Sequence, residues 1–186
     1  MEGEPSTKAA KWSKTKLIAV SALGAVLIAV TGFLRGVEID NTATNKARVE
    51  VELLSKAIEA YKLDHGEYPG IEENTPAQGD ISEELYMALF YEGWDSQTNG
   101  HANKDIYLNE LDPRKGSSRM VKKTDSDVPP KNLKLLDPWG RPYRYRKGYG
   151  AENPDFDLWS SGKDGLTNAQ DADKNLRENR DDIRNF

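Results

Sequence analysis

Residues 17–34, LIAVSALGAVLIAVTGFL, contain no charged side chain, in a chain where 31% of residues are charged. This run constrains the fold first. A backbone withdrawn from water must satisfy its own N–H and C=O groups, and a helix does so within one segment. The run is close to the roughly 20 residues that cross a bilayer. Lys8, Lys11, Lys14 and Lys16 precede it, and such lysines keep their end of an apolar helix on the cytoplasmic side. A cleavable signal peptide and a buried core helix are the competing readings. The run is longer than a usual signal-peptide apolar region, and its exit, GFLRGVEID, has no small-residue cleavage site. The expectation is therefore an uncleaved anchor, with a cytoplasmic basic segment 1–16, a transmembrane helix 17–34 and an extracytoplasmic domain 35–186.

The next segment, Asn41 to Pro69, changes periodicity. Ala47, Val51, Leu54, Ile58 and Tyr61 recur at steps of four and three, while Lys46, Arg48, Glu50, Glu52, Lys56, Glu59 and Lys62 fill the remaining surface. That pattern predicts an amphipathic helix over 41–65. Asn41, Thr42 and Thr44 suit its start, Gly66 suits the position past its end, and Pro69 forbids resumption. Gly32, Gly36 and Asp40 could loosen the junction with the apolar run, yet none compels a break. A continuous helix from Lys14 to Leu63 would measure on the order of 75 Å.

Beyond Pro69, residues 70–80 read as loop, and ISEELYMALFYEG predicts a short second helix. Ser82 would be its cap, Glu83 and Glu84 its first turn, and Leu85, Leu89 and Met87 its buried side. Residues 94–134 are rich in Gly, Asn, Ser, Pro and charge, with one apolar island at Ile106, Tyr107, Leu108 and Leu111. They are expected to be mostly solvated loop. Arg114, Lys115, Arg119, Lys122 and Lys123 within them could offer a surface for anions. Order returns at LLDPWGRPYRYRKGYG, where Asp137, Pro138, Trp139 and Gly140 make a turn and Tyr143, Arg144, Tyr145 and Arg146 alternate. FDLWSSG follows, and the two extended segments are expected to pair as an antiparallel hairpin. An isolated hairpin is marginal in water, so the stripe of helix 41–65 is expected to cover it. The fold class is α+β: a long N-terminal helix, half transmembrane and half amphipathic, on a small antiparallel sheet within 135–186.

Several activities lack apparatus. There is no cysteine, so thiolate chemistry, disulfides and Cys-ligated zinc are absent. A net charge of -5 disfavours a phosphate-binding surface for nucleic acid. His65 and His101 are the only histidines, and neither stands near a serine in a nucleophile setting. His65 fits a helix C-terminus, where the dipole favours it. Adjacent Glu83 and Glu84 would point apart on a helix, unlike an acid–base pair. Trp139 and Trp159 could line a sugar-binding face, but aromatic strand residues more commonly build a core. No enzyme is expected.

KAIEAYKLDHGEYP, LLDPWGRPYRYR and FDLWSSGKDG with a terminal DDIRNF, in that order, resemble the major pseudopilin of the type II secretion system, within the type IV pilin-like group. The likeness runs from about Ala47 to Phe186, with an enlarged middle. It implies a long helix laid on a small sheet. It also implies a periplasmic filament, built by helix packing among copies or other pilin-like subunits, that moves like a piston during protein secretion. The bacterial inner membrane would hold a single-pass chain. The family's leader glycine, followed by phenylalanine and a nearby glutamate at the start of the apolar helix, has no counterpart in place. Gly32 and Phe33 stand at the end of the run, and Glu38 lies beyond it.

The resemblance further implies a calcium site: side chains of Asp164, Asp181 and Asp182, with backbone carbonyls of Ser161 and Lys163. Calcium takes about six to eight hard oxygen ligands, and three carboxylates from two ends of one loop would pin the C-terminus. The insert 166–180, LTNAQDADKNLRENR, makes Asp171 and Asp173 rival ligands. Without metal, these acids would be caps and solvated surface of a frayed terminus. The alternative is a non-polymerising membrane-anchored periplasmic binding or adaptor domain; an anchored hydrolase is disfavoured because the catalytic constellation is absent.

Overall fold

A computed structural model describes residues 14–70, 82–100, 103–115, 120–148, 151–168, 173 and 175–186, with side chains in the first helix from residue 40 onward. The chain divides into two compact units, Met1–Asp40 and Asn41–Phe186. In the first, the backbone is helical from Lys14 onward, as part of α1 (Lys14–His65). No helix among the described residues is long and apolar enough to cross a membrane. The side chains of 17–34, Ala29 apart, carry the transmembrane expectation and lie outside the described residues.

In the second unit, α1 buries the expected stripe. Ala47, Val51, Leu54 and Ile58 are buried, Ala57 joins them, and Tyr61 packs at the edge. Each fully buried Leu or Ile contributes about 1.5–3 kcal/mol relative to exposure. Leu63 faces out, 85% exposed. Glu50 departs from the solvated face expected for it and is 5% exposed. Its position three residues after Ala47 and four before Leu54 places it on the stripe. Burial there is tolerated because the Tyr143 hydroxyl donates to Glu50 Oε2 at 2.8 Å and Lys46 Nζ lies 3.3 Å from Oε1. The Gly66 N–H donates to the Lys62 carbonyl at 2.7 Å and closes the helix.

The second helix is longer than expected. α2 (Ser82–Tyr86) runs into a π-helical turn at Met87–Tyr91 and then α3 (Glu92–Asn99). The wider turn brings Leu89, Phe90 and Tyr91 all to the buried side, while Met87 is only partly covered. The region after it is not simply solvated loop. Leu108, Leu111, Met120 and Val121 are buried, and the N–H groups of Tyr107 and Leu108 both donate to the Leu89 carbonyl, at 2.9 and 3.1 Å. Arg114 grips Asp112 with Nε and Nη2, each at 2.8 Å, so it is a structural partner here rather than a bare basic patch. Arg119 lies outside the described residues.

The sheet has three antiparallel strands in the order β1 (Arg144–Lys147), β2 (Phe156–Ser160), β3 (Ile183–Arg184). The expected hairpin forms with Arg144 opposite Trp159 and Tyr145 opposite Leu158. The third strand is new: Trp159 pairs with Arg184 and Ser160 with Ile183. A two-residue strand is too short for any alternation to announce it. With a neighbour on each side, every residue of β2 is buried. Asp157 tolerates this by accepting from Arg146 Nε at 2.5 Å and from the N–H groups of Glu152 and Asn153, both at 2.9 Å. Helix and sheet share one core containing Leu54, Ile58, Tyr143, Tyr145, Phe156 and Leu158. The Tyr145 hydroxyl fastens it by donating to the Pro69 carbonyl at 3.1 Å.

Candidate functional site

The candidate site forms where the chain leaves β2 and where the C-terminal segment returns to become β3. Two turns meet there. Asp137, 3% exposed, accepts from the Trp139 and Arg141 N–H groups at 3.0 and 2.9 Å, which shapes the first turn. Its other oxygen accepts from the Ser160 hydroxyl at 2.6 Å, and Ser160 in turn accepts from the Gly162 N–H at 3.1 Å. The second turn is closed by the Gly165 N–H donating to the Ser161 carbonyl at 3.1 Å. Gly162 is required for two reasons. Its φ is +62°, and a Cβ there would stand 2.3 Å from the Asp181 carbonyl oxygen.

The close approach at Gly162 lets the C-terminal acids reach the turn. The Asp164 N–H donates to Asp181 Oδ2 at 2.9 Å, while Asp164 Oδ1 accepts from the Leu166 N–H at 2.8 Å. Asp182 Oδ2 accepts from the Thr167 hydroxyl at 2.8 Å and from Arg184 Nη2 at 2.7 Å. The side chains of Arg184 and Asp182 are 3% and 0% exposed. Burial pushes the Asp182 carboxyl above its ordinary range; the bonds from Arg184 and Thr167 oppose the rise, and the neighbouring Asp181 charge adds to it. Thr167 also accepts from Trp159 Nε1 at 3.1 Å, and Asn179 Oδ1 accepts from the Asn168 N–H at 2.7 Å. The tail is thereby stitched to the sheet rather than frayed.

All five residues expected from sequence, Ser161, Lys163, Asp164, Asp181 and Asp182, come to this one corner. Their carboxylates are not closed around a point: among the described residues, no three acidic or histidine side chains are grouped to hold a metal ion. Two of these carboxylate oxygens, Asp181 Oδ1 and Asp182 Oδ1, are nevertheless buried without a partner among the described residues. Orphaned buried carboxylate oxygens are costly, and hard oxygen donors of this kind suit a calcium ion. In kind, though not in grouping, the donors suit that ion. Asp173 is drawn into a local turn by the backbone and side-chain amides of Asn175, each at 2.8 Å. Asp171 lies outside the described residues. Sequence reasoning missed Arg141, whose guanidinium donates to the carbonyls of Gly162 at 2.7 Å and Lys163 at 3.0 Å. A basic residue inside a turn carries no periodic signal. His65 ends α1 as expected and stacks on Tyr61 at 4.0 Å, and His101 lies outside the described residues.

The model of the family described as type II secretion system protein G matches residues 114–179, the stretch holding β1, β2 and the turn after β2. The type II secretion system core protein G of Pseudomonas aeruginosa is 24% identical over 158 residues, which is 81% of this chain and 86% of that protein. No solved structure matches. Motifs, helix-on-sheet architecture and both matches converge on a likeness to type II secretion system protein G.

Proposed function

We propose that this protein is a structural subunit of a type II secretion pseudopilus and supports protein secretion by assembling with other pilin-like subunits. The match to protein G over 114–179 carries this reading, because that segment holds the hairpin whose cover is the stripe of α1. The family is structural, and its work is packing rather than bond chemistry. In this reading the uncharged run 17–34 anchors the chain in the inner membrane with a single pass and Lys8 to Lys16 on the cytoplasmic side. The domain that follows stands in the periplasm. Deleting the chain from its host should stop export of type II substrates, and restoring it should recover export; undiminished export in the deletion would overturn the reading. The mass of the mature N-terminus separates an intact anchor from a processed one.

Calcium belongs to the same proposal. Asp181 and Asp182 would hold it with their orphaned Oδ1 atoms, joined by Asp164 and by carbonyls of Ser161 and Lys163. Bound there, the ion would neutralise buried negative charge and tie the turn after β2 to the C-terminal segment. Calcium at millimolar concentration should raise the thermal midpoint and EGTA should lower it. The idea fails with no shift, or with a shift that survives intact in Asp182→Ala.

A further inference from the structure

The turn that supplies the expected calcium carbonyls already holds a cation from the chain itself. Arg141 donates through Nη1 to the Gly162 carbonyl at 2.7 Å and through Nη2 to the Lys163 carbonyl at 3.0 Å. Its placement is built in rather than incidental. The Arg141 N–H is fixed at 2.9 Å by Asp137 Oδ1, and Asp137 Oδ2 is tied at 2.6 Å to Ser160, the last residue of β2. Gly165 leaves room for the guanidinium, since a Cβ there would sit 2.3 Å from Arg141 Nε. A guanidinium is always charged and presents a rigid fork of donors, so it satisfies two successive carbonyls at once.

We infer that Arg141 is a resident competitor at the calcium site and sets how strongly the turn depends on the metal. This rests on the calcium reading above. The Lys163 carbonyl is shared by both roles: lone pairs that accept from Arg141 are less available to a metal, and a fixed positive charge beside a dication lowers its affinity. Arg141 does not meet the whole demand for positive charge. The Asp182 side chain is 0% exposed, and its Oδ1 stays without a partner among the described residues even with Arg184 on Oδ2. The turn therefore has two sources of cohesion that act against each other. The guanidinium shapes it from the side of the first turn, and calcium would act from the side of the C-terminal acids.

The test compares the full chain with Arg141→Gln and Arg141→Lys, using calorimetric calcium titration and thermal midpoints in EGTA and in calcium. Arg141→Gln should bind calcium tighter by on the order of fivefold, the scale of one charge acting on a nearby dication at a protein surface. Its midpoint in EGTA should fall below the native one, and its calcium shift should exceed the native shift. Arg141→Lys keeps the charge but loses the fork, so it should fall between the two. No calcium shift in the native chain overturns the calcium reading and this inference with it, whatever Arg141→Gln shows. A native shift with an equal or smaller shift in Arg141→Gln overturns the inference and leaves the calcium reading standing. No shift in either protein overturns both. If Arg141→Gln does not fold under either condition, the comparison of Arg141→Lys with the native chain decides in the same way.

Discussion

The core between α1 and the hairpin and the corner between the second turn and the tail hold together by opposite means. The first buries Leu54, Ile58, Tyr145, Phe156 and Leu158, a non-directional stabilisation in proportion to area that pH and ions hardly touch. The second holds few apolar side chains and relies on carboxylates accepting from N–H, hydroxyl and guanidinium groups. Its cohesion depends on charge state. The contrast assigns scaffold to the first region and adjustability to the second.

The largest expected break is in the scaffold. Phe156→Ala removes a ring that packs on Tyr68 and Tyr145 and should cost about 3–5 kcal/mol, read as a fall in denaturant midpoint that calcium does not restore. Asp182→Ala should come next, at about 3 kcal/mol, because Arg184 loses its buried carboxylate. Unlike the first, its penalty should change between EGTA and calcium.

Glu50 sharpens the comparison by placing a charge inside the scaffold. Burial raises its carboxyl above the unfolded value of 4.5, against the opposing bond from Tyr143 and the charge of Lys46, while Asp137 adds to the rise. A raised folded pKa means the protonated form is favoured by folding. That contribution is complete below 4.5 and is lost as pH rises through the folded value. Glu50→Gln, neutral throughout, should therefore gain on the native chain as pH rises to 7, and denaturation at several pH values should show the gap closing toward about 4.5. The smallest effect is expected for Leu63→Gln. That side chain is 85% exposed, and the change should stay within about 0.5 kcal/mol.

The scaffold was legible because its physics is periodic. Steps of three and four from Ala47 to Tyr61 and alternation from Tyr143 to Arg146 translate directly into buried faces. Glu50 escaped because residue type and position disagreed, and position won through a tyrosine donor 93 residues away in sequence. The corner was only partly legible. Its acids came from a family likeness, while Arg141, Thr167 and strand β3 act through contacts between segments that no local pattern records. The extent of the second helix was hidden for a related reason: a π-helical turn at Met87–Tyr91 disrupts the spacing that marks a helix.

The central claim is that this chain is a pilin-like subunit that packs its N-terminal helix against copies or relatives of itself. The absence of cysteine makes a direct measurement clean, since single cysteines can be placed through 17–34 with no background thiol. Oxidative crosslinking of such variants in host membranes should yield ladders of dimers and higher species, with the reactive positions falling on one face of the helix. Only monomers at every position, in membranes that still export type II substrates, would contradict the account and favour a solitary anchored adaptor.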